Sequence, residues 1–202
     1  MKLTARSVSN LLAAFRSSEP TPGGGSAAAL AGAVGASLLA MVAALSKPTA
    51  ASDADRQRLA GAGTRCSENA IQLEALIDQD SDAYDLVVAA FRLPKATDED
   101  RANRATAIQR ALVTATEAPL EVMRRAADAL ETAPVIAALG NPNASSDVEV
   151  ALALLGASLR GAQQNVEINL GSLKDVDYVT RVKEESARLA TAGTRAPEPP
   201  VR

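Results

Sequence analysis

The sequence predicts an all-α fold, a multihelical bundle of long antiparallel helices that dimerises, and three observations carry it. Between Cys66 and Phe91 the residues Cys66, Ala70, Leu73, Ile77, Asp80, Tyr84, Val87 and Phe91 recur at alternating intervals of four and three. That spacing keeps one face of a helix turned inward along the whole run. Alanine supplies 44 of the 202 residues, a composition that favours helices packed closely through small side chains. Residues Ala27 to Leu45 carry no charge, and Ala28, Gly32, Ala36 and Ala40 form a small-residue stripe at i, i+4 spacing. Another helix backbone can come very close along such a stripe. A chain of this length struggles to cover so apolar a helix alone, which predicts a homodimer with this helix at or beneath the interface. No stretch reads as a strand.

Composition removes several classes of function. A net charge of −3 and 2% aromatic residues with no Trp argue against nucleic acid, which needs basic and stacking surfaces. Residues Ala27 to Leu45 have the length of a membrane span, but alanine and glycine supply little insertion energy, so no membrane partner is expected. A single cysteine fits a reducing cytoplasm. It lies on the seam, where a small core residue is expected rather than a nucleophile. The chain has no histidine, so Ser-His-Asp and Cys-His chemistry is impossible and most zinc sites lose their usual ligand. Acid–base work falls to Asp, Glu, Lys, Tyr or water.

Taken in order, Ser7 is a plausible N-cap for a short helix whose inner face reads Val8, Leu11, Leu12 and Phe15. Thr21-Pro22-Gly23-Gly24-Gly25-Ser26 precedes the uncharged helix. Three glycines at a helix N-terminus let backbone N–H groups approach a ligand closely, although a bare hinge has the same composition. The next helix runs from about Asp53 to Phe91 and ends at Leu93-Pro94-Lys95. Thr97 caps its successor, which begins on an acidic turn. Ile108, Leu112, Ala115, Pro119, Val122, Ala126 and Leu130 repeat the four–three interval along it. Pro119 inside that stripe predicts a kink and a carbonyl freed one turn earlier. Gly140-Asn141-Pro142-Asn143 is a turn before a helix from about Asp147 to Gly171, and a charged last helix spans about Asp175 to Thr191. Residues 1–194 are expected to form one helical domain and 195–202 a flexible Pro-rich tail.

Asp80 is the residue out of place. Glu74, Asp78, Asp82 and Asp85 fall off the seam, where a solvated face puts them, while Asp80 points into the packing. A carboxyl there finds hydrogen bonds or a positive partner, or holds its proton. A structural hydrogen bond is the competing explanation. Asn165 and Asn169, one turn apart on one side of their helix, are able to hold Asp80 or a polar heterocycle, or to satisfy each other.

Four motifs in register now give the chain a resemblance. Thr21-Pro-Gly-Gly-Gly-Ser26 before a small-residue helix, Leu93-Pro94-Lys95 after the Asp-bearing helix, Gly140-Asn-Pro-Asn143 before Ser146-Asp147, and Asn165-Val-Glu-Ile-Asn-Leu170 resemble the cyclodeaminase/cyclohydrolase family of folate enzymes. The resemblance covers about Val8 to Ala190. It implies an all-helical dimer that binds folate near the subunit interface, with a catalytic Asp as proton donor and acceptor at Asp80. It also implies substrate-side roles for Pro22, Gly23, Gly24, Gly25, Ser26 and Lys95, and places Asn143, Asp147, Asn165 and Asn169 in matched motifs. No metal is implied, and no cofactor beyond the tetrahydrofolate substrate itself.

Two activities of the family suit a half-buried carboxyl: hydrolysis of 5,10-methenyltetrahydrofolate, and cyclodeamination of formimidoyltetrahydrofolate with loss of ammonia. Lys47-Pro48-Thr49-Ala50-Ala51-Ser52 departs from the basic and aromatic residues the family often carries there, and no formiminotransferase portion is present. The cyclohydrolase is therefore favoured over the cyclodeaminase. A non-catalytic helical dimer is the third alternative, which gives no reason for an acid at Asp80.

Overall fold

Local chemistry sets the helix ends in the computed structural model, which describes residues 2–45 and 52–191. Ser7 accepts from the Asn10 N–H and opens α1 (Val8–Phe15). Ser52 does the same for α3 (Asp53–Phe91), and Thr97 with Asp100 forms a reciprocal capping box at α4 (Asp98–Leu139). Caps of this kind stabilise a helix by about 1 kcal/mol each. The uncharged segment is α2 (Gly24–Leu45), and α5 (Ser145–Leu170) follows a 3-10 turn at Pro142–Ala144. Asp175 caps α6 (Val176–Ala190) by accepting from the Tyr178 N–H. No strand occurs among the described residues. Residues 47–51, where the sequence departs from the family pattern, and the tail from residue 195 lie outside them.

Four of these helices form an up-down-up-down bundle. Gly25 faces Asp80, Gly32 faces Leu73 and Gly63 faces Ala43, so α2 and α3 run antiparallel. Gly32 also meets Ser158, Gly35 meets Ala151 and Leu155, and Gly161 meets Ala28, which sets α5 antiparallel to α2. Cys66 beside Thr132 and Arg104 beside Phe91 do the same for α3 and α4. The core between them holds Leu39, Leu73, Leu120, Met123, Ile136 and Leu155 without exposure. Cys66 is one of its small members. Burial raises its thiol pKa and Thr132 Oγ1, 2.9 Å away, is its partner. Helix α6 lies against α4 and α5 through Tyr178, Val182 and Leu189. Arg124 donates to both carboxylate oxygens of Glu185, and the Tyr178 hydroxyl donates to Glu117 at 2.8 Å.

The small-residue stripe brings helices of its own chain close together. Ala28 and Ala36 are buried, and a side chain on Gly32 would meet Ser158 Oγ at 2.6 Å and Leu73 at 3.2 Å. The stripe thus packs α2 against α3 and α5 of its own chain. Although α2 has the mean hydropathy of a membrane span, 2.1 over its best window, this packing puts it at the bundle centre. The face left open is another one: Val34 is 44% exposed, Met41 38% and Leu45 53%. With Val8 and Leu11 of the N-terminal region and Ile71 of α3, Val34 and Met41 border an open apolar groove of 860 Å³. The inner face expected for α1 is reduced to Leu11 and the half-buried Phe15, since Val8 and Leu12 are exposed.

Pro119 frees a carbonyl as its position requires, and the structure shows who takes it. The missing N–H would have bonded to the oxygen of Ala115. The Asn169 side-chain amide donates to that oxygen at 2.8 Å from α5. A second proline, Pro134, also sits inside α4.

Candidate functional site

The end of the bundle where α2 begins is the place to look. The first turn of α2 is Gly24, Gly25 and Ser26, so two of the three glycines belong to the helix rather than to a loop. Asp80 reaches α2 there from α3. Ser26, fully buried, donates its hydroxyl to Asp80 Oδ2 at 2.9 Å. The Ser81 hydroxyl lies 3.2 Å from Ser26 Oγ. Because the single Ser26 proton is committed to Asp80, Ser81 is the donor in that pair. Ser81, Ser26 and Asp80 therefore form a directed hydrogen-bond relay.

Gly25 explains how the carboxylate fits. A Cβ built on Gly25 would coincide with the Asp80 carboxylate. The expectation was that the glycines make room for a ligand. At Gly25 the room is taken by the protein's own acid. Gly24 is less crowded, with Asn165 Nδ2 at 3.5 Å from its would-be Cβ, and Gly23 and Pro22 lead into the turn.

Burial pushes the Asp80 pKa above the ordinary carboxylate value, while the Ser26 hydroxyl and backbone N–H pull it back. The α2 N-terminus also favours the charged form. Desolvation prevails. The result is a half-buried carboxyl that gains and releases a proton at a higher pH than a surface aspartate, held by the Ser26 hydroxyl and backbone N–H. Such a group suits general acid–base catalysis.

The remaining candidates fall into three places. Asn165 and Asn169 are half-buried on α5 near the same end, but neither contacts Asp80. Asn165 donates to the Gly161 carbonyl at 2.8 Å and Asn169 to Ala115, so each has one structural bond and an oxygen left over. Lys95 is exposed in the α3–α4 turn, beyond the end of α3, whose last eleven residues past Asp80 rise about 16 Å. Asp147 stands at the start of α5, eighteen residues before Asn165 on the same helix, hence about 27 Å away at the opposite end of the bundle, and Asn143 lies beyond it in the 3-10 turn. One chain does not bring all the matched motifs together.

Asp78 corrects a sequence expectation. It was placed on a solvated face, yet it is 9% exposed. Its two oxygens accept from the Leu3 N–H at 2.5 Å and the Thr4 hydroxyl at 2.7 Å. Asp78 thus fastens the N-terminal segment to α3. Beside it a polar cleft of 420 Å³ opens between Arg6, Pro22, Ser81, Asp82 and Asp85. Ser81 is the functional neighbour that periodicity missed, because it sits one residue off the seam and carries no signal of its own. The larger apolar groove includes neither Asp80 nor Ser26.

Comparisons with known proteins show what the chain is similar to. The family model described as formiminotransferase-cyclodeaminase matches residues 7–188. A methenyltetrahydrofolate cyclohydrolase from Methylorubrum extorquens is 39% identical over 190 residues, covering 92% of this chain and 90% of that one. A formimidoyltransferase-cyclodeaminase from Gallus gallus is 32% identical over 168 residues, covering 83% of this chain but 31% of that protein. The chain thus spans about a third of that longer relative. The crystal structure of a formiminotetrahydrofolate cyclodeaminase from Thermotoga maritima shares the fold with a TM-score of 0.84, at 23% identity over 96% of this chain and 92% of that one.

Proposed function

The chain belongs to the formiminotransferase-cyclodeaminase family, and from that premise we propose that it is a methenyltetrahydrofolate cyclohydrolase with Asp80 as its acid–base residue. The observation that carries the reading is the desolvated Asp80 carboxyl, hydrogen-bonded to Ser26 at the open end of the bundle. The cyclohydrolase of similar length and higher identity supports this activity over cyclodeamination.

The chemistry follows from the carboxyl. Water adds to the cationic carbon bridging two folate nitrogens, and Asp80 takes the proton that the attacking water gives up. The tetrahedral carbon then breaks one C–N bond. Asp80 returns its proton to the departing nitrogen, and the carbinol proton leaves to solvent as the formyl group forms. Proton transfer by a positioned side chain contributes about 10²- to 10⁴-fold. The reading needs no cofactor besides the folate, and the buried Cys66 thiol suits a cytoplasmic setting.

Purified protein should hydrolyse 5,10-methenyltetrahydrofolate, followed by loss of the methenyl absorbance, faster than it releases ammonia from formimidoyltetrahydrofolate. Greater activity on the formimidoyl substrate would move the assignment to cyclodeaminase. No turnover of either, with no thermal shift in tetrahydrofolate, would leave the helical scaffold.

Homodimerisation is part of the proposal. The exposed α2 residues Val34, Met41 and Leu45, together with Ile71 and Val8, supply an apolar face that a second copy would cover. Pairing would also offer a route for Asn143, Asp147 and Lys95 of one subunit to approach the Asp80 end of the other. Light scattering should give a dimer mass for the wild type and a monomer for the double variant Val34→Glu/Met41→Glu. A wild-type monomer would refute this part.

A further inference from the structure

Aromatic side chains are scarce in this protein, with two Tyr, two Phe and no Trp, and three of the four have visible occupations. Phe15 packs on the core. Tyr178 is buried, gives its hydroxyl to Glu117 and lies under the Arg181 guanidinium. Phe91 lies under Arg104, 5.4 Å from its ring centroid, and Arg104 also donates to the Phe91 carbonyl. Tyr84 has none of these. It is 41% exposed, and among the described residues neither its ring nor its hydroxyl takes a partner.

Its position gives that idle ring a use. Tyr84 follows Asp80 by four residues on α3, so the two share a face with Cβ atoms about 5–6 Å apart. Helix α2 starts at Gly24, level with Asp80. Past that level α2 no longer covers α3, and the seam that was interior at Leu73 and Ile77 becomes the open wall of the bundle mouth. Tyr84 is the first ring on this wall above the carboxylate.

We propose that Tyr84 is a positioning residue, its ring the surface on which a flat conjugated ring of the substrate lies while the one-carbon bridge faces Asp80. The proposal rests on the folate reading above. A carboxyl fixes one point of a substrate but not its plane, and proton transfer needs the reacting atoms held at about 3–3.5 Å in a defined orientation. An aromatic face supplies the plane, and it also attracts a delocalised cation such as the methenyl bridge. Both the pterin and the aminobenzoyl ring have this chemistry.

Tyr84→Leu and Tyr84→Phe in the full chain test it with 5,10-methenyltetrahydrofolate. Leucine is a good helix former at an exposed position, so the fold should persist. Tyr84→Leu should both raise KM and lower kcat, cutting kcat/KM by at least about tenfold, and Tyr84→Phe should stay within about twofold of wild type in both. Inhibition by free pterin or by p-aminobenzoylglutamate should weaken in Tyr84→Leu, and the inhibitor that weakens identifies the ring that stacks. An unchanged KM in Tyr84→Leu, an equal loss in Tyr84→Phe, or undiminished inhibition by both fragments overturns the assignment. So does a changed mass by light scattering in Tyr84→Leu, since that shows the ring covered by another subunit. Absence of wild-type turnover together with absence of tetrahydrofolate binding would overturn the folate reading itself, whereas normal wild-type activity beside an unaffected Tyr84→Leu overturns Tyr84 alone.

Discussion

Asp80→Asn is expected to lower kcat by about 10² or more while leaving fold and tetrahydrofolate binding intact. Asparagine keeps the size and still accepts from Ser26, but it cannot carry a proton. Its effect on stability should run the other way from its effect on rate. A carboxyl whose folded pKa is raised contributes stability that is fully present below the unfolded pKa and is lost as pH rises through the folded one. Above its folded pKa the wild type therefore holds a partly desolvated charge that Asp80→Asn avoids, so there the variant should melt at the same temperature or higher. That advantage should fade on acidification, as Asp80 takes up its proton. The wild-type rate should fall on acidification at a pH above the usual aspartate range, because the attacking water needs the ionised form. Glu68→Gln, exposed on the same helix, is the neutral control. Asp78→Asn is not, since it cuts the tie to Leu3 and Thr4. Wild-type turnover in Asp80→Asn would refute the assignment.

Gly25→Ala should nearly match that loss through a single methyl group. The new Cβ occupies the space of the Asp80 carboxylate, which must swing away from Ser26 on its two side-chain torsions. Because a side-chain end moves rather than a backbone, the stability cost is small. Exchanging glycine for alanine inside a helix returns roughly 0.5–1 kcal/mol against it. The expected result is a well-folded protein with turnover reduced at least tenfold. Combining it with Asp80→Asn provides the sharper test. If Gly25→Ala acts by displacing the carboxylate, it should cost little further rate once that carboxylate is gone, a non-additivity that a double-mutant cycle measures directly. Full additivity would mean that Gly25 acts on the ligand instead.

What the sequence made legible was the chemistry confined to a few neighbouring residues. Ser7, Ser52 and Thr97 announce helix starts because a cap bonds within three residues. The seam through Leu73 and Ile77 identifies an inward face because helical geometry repeats. Asp78 was misread because its partners, Leu3 and Thr4, are 75 and 74 positions away, and nothing in local spacing marks such a pairing. The open face of α2 was also hidden. A helix apolar nearly all round gives no period to say which side meets α3 and α5 and which stays bare. Tyr84 and Phe91 continue the interior pattern, yet they are exposed because α2 starts too late in space to cover them. Periodicity and motif agree on Asp80 as the candidate, but its fit to Gly25 needed the third dimension.

The bond from Asn169 to Ala115 has a consequence that can be read in evolutionary time. Pro119 removes one donor from α4, and Asn169 on α5 supplies the replacement, so neither residue is free to drift by itself. A descendant that loses the amide at 169 while keeping the proline strands a carbonyl. One that replaces the proline restores the helical bond and relieves 169 of that duty. Aligned relatives should therefore show the two positions changing as a couple, with proline at the first predicting an amide at the second.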